Sequence, residues 1–282
     1  MAVQIITDST SDLTNEELRE LNVHVIRMRV IFEDGIFTDG VDLDKEQFYA
    51  KQASASTLPK TTQVNPQEYC EAFAPLLESG DEVVAILLSS RLSGCYQSAC
   101  IAKEMLEEGS DRLYLVDSLN ATIGEGLLVR EAVRMRDAGK SAAEISAELE
   151  RLRRHVRFLA FIGTMKYLKM GGRISASAAA LGGMLHISPV VALVDGEVKA
   201  VGKVRGSQKI FSYTLDFTQH YPVDSRHCVV FGHSQCLETM EGYRDKCVQA
   251  LGLRDWAQDE LGPVIGTHAG PGCYGMAYIG LK

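Results

Sequence analysis

The chain opens on a short apolar run, Val3–Ile6, that stops at the polar tetrad Thr7-Asp8-Ser9-Thr10. β-rich runs recur at Val23–Phe32, Glu82–Leu88 and Leu113–Val116, with segments of helical period between and after them. Ile145, Leu149, Leu152 and Val156, for example, share one helical face. Helix starts are marked by reciprocal caps. Thr14 with Glu17, Asp44 with Gln47, Asn65 with Glu68 and Ser141 with Glu144 each set a side-chain oxygen three residues ahead of a Glu or Gln that can return the bond. Pro66 follows Asn65 at the first helical position, where a missing N–H costs nothing. Strands alternating with helices in this way imply parallel pairing, with helices covering the sheet.

After Arg157 the pattern changes. Phe158–Ile162 and Pro189–Val194 read as strands, and Asp195-Gly196 is a two-residue hairpin turn into Val198–Val204. A helix around Lys209–Gln219, a strand at Cys228–Phe231 and a helix around Leu237–Leu251 follow. The Gly-rich end, from Val264, closes on a strand at Ala277–Leu281. The expectation is an α/β protein of two domains: a parallel-sheet α/β domain over residues 1–156 and a mixed-sheet α/β domain over 157–282.

Composition narrows the function. With 46% hydrophobic and 23% charged residues the chain buries enough apolar surface to fold without being fibrous or disordered. A formal charge of −8 argues against a general nucleic-acid binder. The seven cysteines are scattered, contain no C-x-x-C pair and follow no signal-like leader ahead of Val3, which reads as a reduced, cytoplasmic protein. The longest apolar run, 176–194, is broken by Gly182, Gly183, His186 and Pro189 and so reads as two short elements rather than a membrane span. Charge is unevenly placed. From Arg151 to Val194 there is no Asp or Glu but there are seven basic residues, which leaves −15 on the rest of the chain. That stretch is either a solvated basic surface or a docking or phosphate-facing patch.

Three polar loops fall where strands should end: Thr7–Thr10, Ser89-Ser90-Arg91-Leu92-Ser93-Gly94, and Asp117-Ser118-Leu119-Asn120. Ligands of parallel sheets gather beyond the carboxyl ends of strands, where a following helix offers free N–H groups to an anion. Ser93-Gly94 suits that role, although a simple strand-to-helix turn would look the same. Pro59–Pro66 holds Thr61, Thr62 and Gln63 between prolines, and His268 lies in the Gly-rich Gly266–Gly272 segment. The dinucleotide fingerprint, the Walker loop and the His-Glu-x-x-His zinc motif are all missing, and Ser93 lacks a nucleophile elbow. A Ser93/His268 nucleophile and base pair stays open as a hydrolase or acyltransferase reading.

In order, these segments resemble the DegV family of bacterial lipid-binding proteins. The residues that carry the resemblance are Thr7–Thr10 with Asp12-Leu13, Thr61-Thr62-Gln63, Ser89–Ala99, Leu168-Lys169-x-Gly171-Gly172-Arg173, Lys203-x-Arg205-Gly206 and His268-x-Gly270-Pro271-Gly272. The resemblance implies two α/β domains holding a long-chain fatty acid such as palmitate in a buried apolar tunnel, with no other cofactor, no metal and no catalytic residue. It implies that the carboxylate is held around Thr61, Thr62, Ser93, Gly94 and His268. It also implies that the fatty acid is presented to a separate fatty acid kinase subunit, with Lys169, Arg173, Lys203 and Arg205 facing the phosphate or the kinase. Leu181, Met184, Leu185 and Ile187 are candidate tail contacts. Transient contact with a membrane surface is compatible with this reading. The family's kinship to dihydroxyacetone kinases keeps a phosphotransfer-related binder of small metabolites as an alternative. The chain departs from the family pattern at Thr62, Val64-Asn65-Pro66, Cys95 and Ser188, where Ser, Pro-Ser, Thr and Lys are usual.

Overall fold

The computed structural model describes residues 2–174 and 187–281. Its first sheet is fully parallel, in the order β2-β1-β6-β7, built from β1 (Val3–Asp8), β2 (Val23–Ile26), β6 (Glu82–Leu87) and β7 (Leu113–Asp117). The run Val23–Phe32 is not one strand. It divides at Arg27-Met28, and β3 (Arg29–Phe32) leaves for a small antiparallel sheet with β4 (Gly35–Thr38) and β5 (Lys60–Thr61). The four predicted caps are all present, each with both reciprocal bonds, at the starts of α1 (Asn15–Glu20), α2 (Lys45–Ser54), α3 (Pro66–Glu78) and α6 (Ala142–Leu152). Val156 belongs not to α6 but to the next strand, because the helix ends at Leu152 and the backbone extends four residues later.

The second sheet is mixed and runs β10-β9-β8-β13-β11-β12. Its strands are β8 (Val156–Phe161), β9 (Ser188–Val194), β10 (Glu197–Val204), β11 (Val229–His233), β12 (Trp256–Glu260) and β13 (Tyr274–Ile279). β9 and β10 form the expected hairpin, with Asp195 and Gly196 both at positive φ (51° and 83°), the backbone that a tight primed turn requires. Helices α8 (Ser207–His220) and α9 (Leu237–Leu251) cover one face of this sheet. Among the elements not predicted from the sequence are β12 and the short helix α10 (Pro263–Ala269) inside the Gly-rich end.

The two sheets are not independent. Helix α5 (Thr122–Asp137) is buried along most of its length, and one apolar core joins its Ile123, Leu127 and Leu128 to Ile5 and Val84 of the first sheet and to Val230 and Ala277 of the second. A polar seam runs beside that core. Arg130 of α5 donates to both oxygens of Asp259 on β12 (2.9 and 3.1 Å) and to Glu17 of α1 (2.6 Å). Lys45 bonds the carbonyls of Asp12 and Glu260, Tyr49 that of Leu261, and Gln52 that of Gly266. The segment from Glu260 through α10 is therefore strapped onto the first half of the chain. Asp259 is fully buried and Arg130 is 14% exposed. Burial still pushes the Asp259 carboxyl upward against the pull of Arg130. Arg130→Met leaves that carboxylate without its partner and should cost about 3–5 kcal/mol at pH 8. The loss should shrink as the pH falls and Asp259, whose carboxyl burial raises, takes up a proton; denaturant titrations at pH 8 and at a lower pH measure both.

Candidate functional site

The loops after β1, β6 and β7 do sit side by side at the carboxyl edge of the parallel sheet, but they serve different ends. Asp8 is fully buried and accepts from Leu88 N (2.9 Å), Thr10 N (2.9 Å) and Thr10 Oγ1 (2.5 Å), and Thr10 also meets Glu125 at 2.8 Å. Burial pushes the carboxyls of Asp8 and Glu125 upward, and the charge of Asp8 raises Glu125 further. The first loop thus consumes its own polar groups. The third loop is wired to the second, with Asp117 accepting from Ser90 N and Oγ and Asn120 O from Ser89 N. What remains available is the end of the second loop, Leu92-Ser93, ahead of α4 (Cys95–Met105). Gly94 caps α4 with no side-chain bond; the Cys95 N–H donates to Ser93 Oγ (3.3 Å), and the helix start has further N–H groups beyond it.

Ser93 and Thr61 line a cavity between the two halves, containing about 830 Å³ of space free of protein atoms, part of it open to solvent. Its wall is almost wholly aliphatic and aromatic. Phe158, Ala160 and Ile162 contribute from β8 and just beyond it, and Val191 and Leu193 from β9. Leu159 and Phe161, which alternate with the first three, and Val190, just ahead of Val191, turn the other way into the second sheet's own core. Period-two alternation therefore divides each strand between packing and lining. The cavity also meets Ala121, Thr122 and Cys273.

Polar groups gather at one end. Thr61 Oγ1 and His268 Nε2 are 2.9 Å apart. Thr61, His268 and Arg173 face both the apolar cavity and a groove on the outside, bordered by Lys60, Tyr167 and Gly171. They form its mouth. The His268 ring lies where a Cβ on Gly171 would stand, so that position admits glycine alone without displacing the ring. Arg173 donates to the carbonyls of Leu92 (3.3 Å) and Gly171 (2.5 Å), which holds its guanidinium at the same mouth. Burial first, and the Arg173 charge second, push His268 down to about 4, so the ring is neutral at pH 7. Its Nδ1 is buried without a partner. An unpaired buried acceptor is cheaper than an unpaired buried N–H, so the proton belongs on Nε2, pointing at Thr61. The Thr61 hydroxyl then keeps its own proton to donate elsewhere.

Of the predicted head-group residues, Thr61, Ser93 and His268 thus share one cavity. Thr62 and Gly94 are not in its wall: the Thr62 N–H pairs with the Arg29 carbonyl, and Gly94 accepts from Gln63 at the cap. The Ser93 hydroxyl meets Cys95 Sγ at 3.2 Å, and it is Thr61, not Ser93, that bonds His268. Lys169 is exposed on the short helix α7 (Lys166–Met170), near the mouth. Lys203 and Arg205 are exposed at the far end of β10, roughly 10–16 Å along the strand from the Val198–Ala200 stretch that borders Arg173. Ile187 is half-buried and outside the wall; Leu181, Met184 and Leu185 lie outside the described residues.

A family profile described as uncharacterised proteins of the DegV family matches residues 2–281. This chain belongs to the DegV family. DegV domain-containing proteins of Deinococcus radiodurans and of Caldanaerobacter subterraneus are 35% and 33% identical to it, over 98% of each chain. Among solved structures it is similar to a fatty-acid-binding DegV protein from Thermus thermophilus (32% identity, TM-score 0.89, all of both chains). It is also similar to a stearic-acid-binding protein from Eubacterium ventriosum (26% identity, TM-score 0.88, 99% of this chain and 98% of that one). These likenesses establish the two-part α/β architecture of a parallel and a mixed sheet for this DegV chain. Among the described residues no helix is long and apolar enough to cross a membrane, and no cluster of side chains could hold a metal ion. In this DegV protein the neutrality of His268 is directly measurable. Its ring carbon should titrate by NMR with a midpoint near 4, while an exposed histidine moves near 6.5; His268→Asn identifies the resonance.

Proposed function

We propose that this protein binds a long-chain fatty acid, with the alkyl chain in the apolar cavity and the carboxylate at the mouth. The observation that carries the reading is the asymmetry of the cavity: hydrocarbon along its length, and two hydroxyls, a neutral imidazole and one guanidinium at a single end. Each buried CH₂ contributes about 0.8 kcal/mol, so a tail of about 15 methylenes supplies roughly 12 kcal/mol before entropy is counted. A charge-assisted hydrogen bond adds about 1.5–3 kcal/mol. The tail therefore sets affinity, and Thr61 and Ser93 spare the carboxylate the cost of an unpaired buried charge. The similarity to proteins that bind fatty acids supports the same conclusion.

The mouth opens on the outer groove, so a carboxylate there is within reach of a second protein. We read the chain as the non-catalytic, lipid-presenting partner of a fatty acid kinase, with Arg173 beside the oxygen that takes the phosphoryl group. The Ser93/His268 hydrolase reading finds no support in the geometry, since the two side chains have different partners.

Thr61→Val with Ser93→Ala should cut the fatty acid retained through purification several-fold with the thermal transition preserved, as read by organic extraction and native mass spectrometry. Unchanged occupancy would place the head-group elsewhere. Arg173→Ala should keep its lipid yet slow kinase-dependent acyl-phosphate formation about tenfold or more; normal turnover removes Arg173 from that role.

A further inference from the structure

The basic stretch noted in the sequence is only partly used by the mouth. Arg153, Arg154 and Arg157 lie at the opposite end of β8, the first two just ahead of the strand and the third within it, where they line a separate cleft of about 1,020 Å³, solvent-open space included. Phe158 and Leu193 stand between this cleft and the apolar cavity and belong to the walls of both. The cleft's other side is formed by the β9–β10 hairpin and the end of α8. Three of the protein's exposed large apolar side chains meet there: Val194, Val201 and Tyr221, each about 40% exposed.

The cations of this cleft are placed differently from ordinary surface arginines. Arg153 is only 13% exposed, held by Glu150 and by the Asp117 carbonyl (2.6 Å), and its buried Nε–H has no acceptor. Arg157 lies over the Tyr221 ring, 5.1 Å from its centroid, and donates to the carbonyls of Arg154 and Val156. The Arg154 guanidinium has no hydrogen-bond or ion-pair partner among the described residues, and Asp195 is the one acid in the wall. A fork of guanidiniums suits the paired oxygens of a phosphate or carboxylate, and the apolar side suits a body attached to it. A bare surface of this kind, apolar and concave yet edged with cation, is a feature that ordinary solvation does not favour.

We propose that this cleft is a second ligand site, taking an organic anion that carries a phosphate or carboxylate on an apolar body. The fatty-acid reading is not required for it.

The probe is 1-naphthyl phosphate, titrated into the full-length protein by calorimetry and followed on the backbone amides by NMR. One equivalent should bind, shifting amides of Val194–Val201 and of Arg154–Phe158. Arg154→Ala and Val201→Glu, both at exposed positions, should each weaken binding about tenfold. Raising salt should weaken it too, since the contact is ionic. Inorganic phosphate alone should bind more weakly, as it lacks the apolar body, and 1-naphthol should not bind. Absence of binding, or binding indifferent to both variants, overturns the proposal. So does displacement of the probe by added palmitate, which would put it in the apolar cavity instead. Far-UV circular dichroism of each variant verifies that the fold is retained, and the wild-type amide shifts decide the matter without the variants.

Discussion

A cavity lined with hydrocarbon is unstable by nature, because water gains nothing by entering it and the walls gain by closing. The fold resists that collapse by fixing the spacing of its two halves with polar bonds. Lys45, Tyr49, Gln52 and the Asp12 carboxylate all reach the segment from Glu260 to Gly266, and Arg130 ties β12 to α5 and α1. Each neutral bond contributes only about 1 kcal/mol net, but leaving one unmade in a buried seam costs more, so the geometry is enforced. The strap then sets α10 down beside β5, and this is how His268, near the end of the chain, comes to touch Thr61. The seam has its own cost. Asp12 and Asp39 both crowd Gly262, and burial pushes their carboxyls up to about 7 and about 6. Their protonated forms are the ones the fold prefers, so their contribution is whole below about pH 4 and is lost as the pH rises through those values.

The mouth is built on the same economy. A charged histidine beside Arg173 would put two cations at a buried site that has no fixed anion, and burial removes one of them by holding His268 neutral. What remains is a set of hydroxyl donors with a single guanidinium alongside. Such a set can satisfy a carboxylate without clamping both its oxygens, as a bidentate arginine would. Under the proposed reading, weak, directional donors at the head and a large apolar surface along the tail divide the work between holding a molecule and leaving its reactive end accessible.

Local rules were legible in the sequence where the chemistry is local. The four reciprocal caps and the Asp195-Gly196 turn depend on residues three or fewer positions apart, and they are found as read. The break at Arg27-Met28 was invisible because neither glycine nor proline marks it; the chain changes sheets on account of what β3 packs against, not on account of its own propensity. α10 was hidden by the glycines in and around it, Gly262, Gly266 and Gly270, of which Gly266 makes room for Phe48 and Tyr49 of α2. The Thr7–Thr10 loop looked like a ligand loop and is a buried network, since the Glu125 that absorbs its hydroxyls lies more than a hundred residues away. Thr61, Ser93 and His268 stood out as polar residues in stiff or glycine-rich loops. The apolar wall did not, because Phe158, Ala160 and Ile162 are indistinguishable by type from the core residues between them. Only the alternation along β8, combined with knowledge of which face meets a void, separates the two.

The uneven charge also resolves into position. The basic residues between Arg151 and Arg173 form one cluster in the sequence but two in space, because β8 runs between them. Arg153, Arg154 and Arg157 lie at its start, and Lys166, Lys169 and Arg173 follow its end. Six residues of strand carry the chain about 20 Å, along the wall of the apolar cavity. Carboxylates in that stretch would compete for the mouth's hydroxyls and guanidinium or neutralise the cleft beyond Phe158, and the stretch contains none. A feature that looks like one basic patch in the sequence is thus two groups of cations, set apart by a strand that walls the apolar cavity.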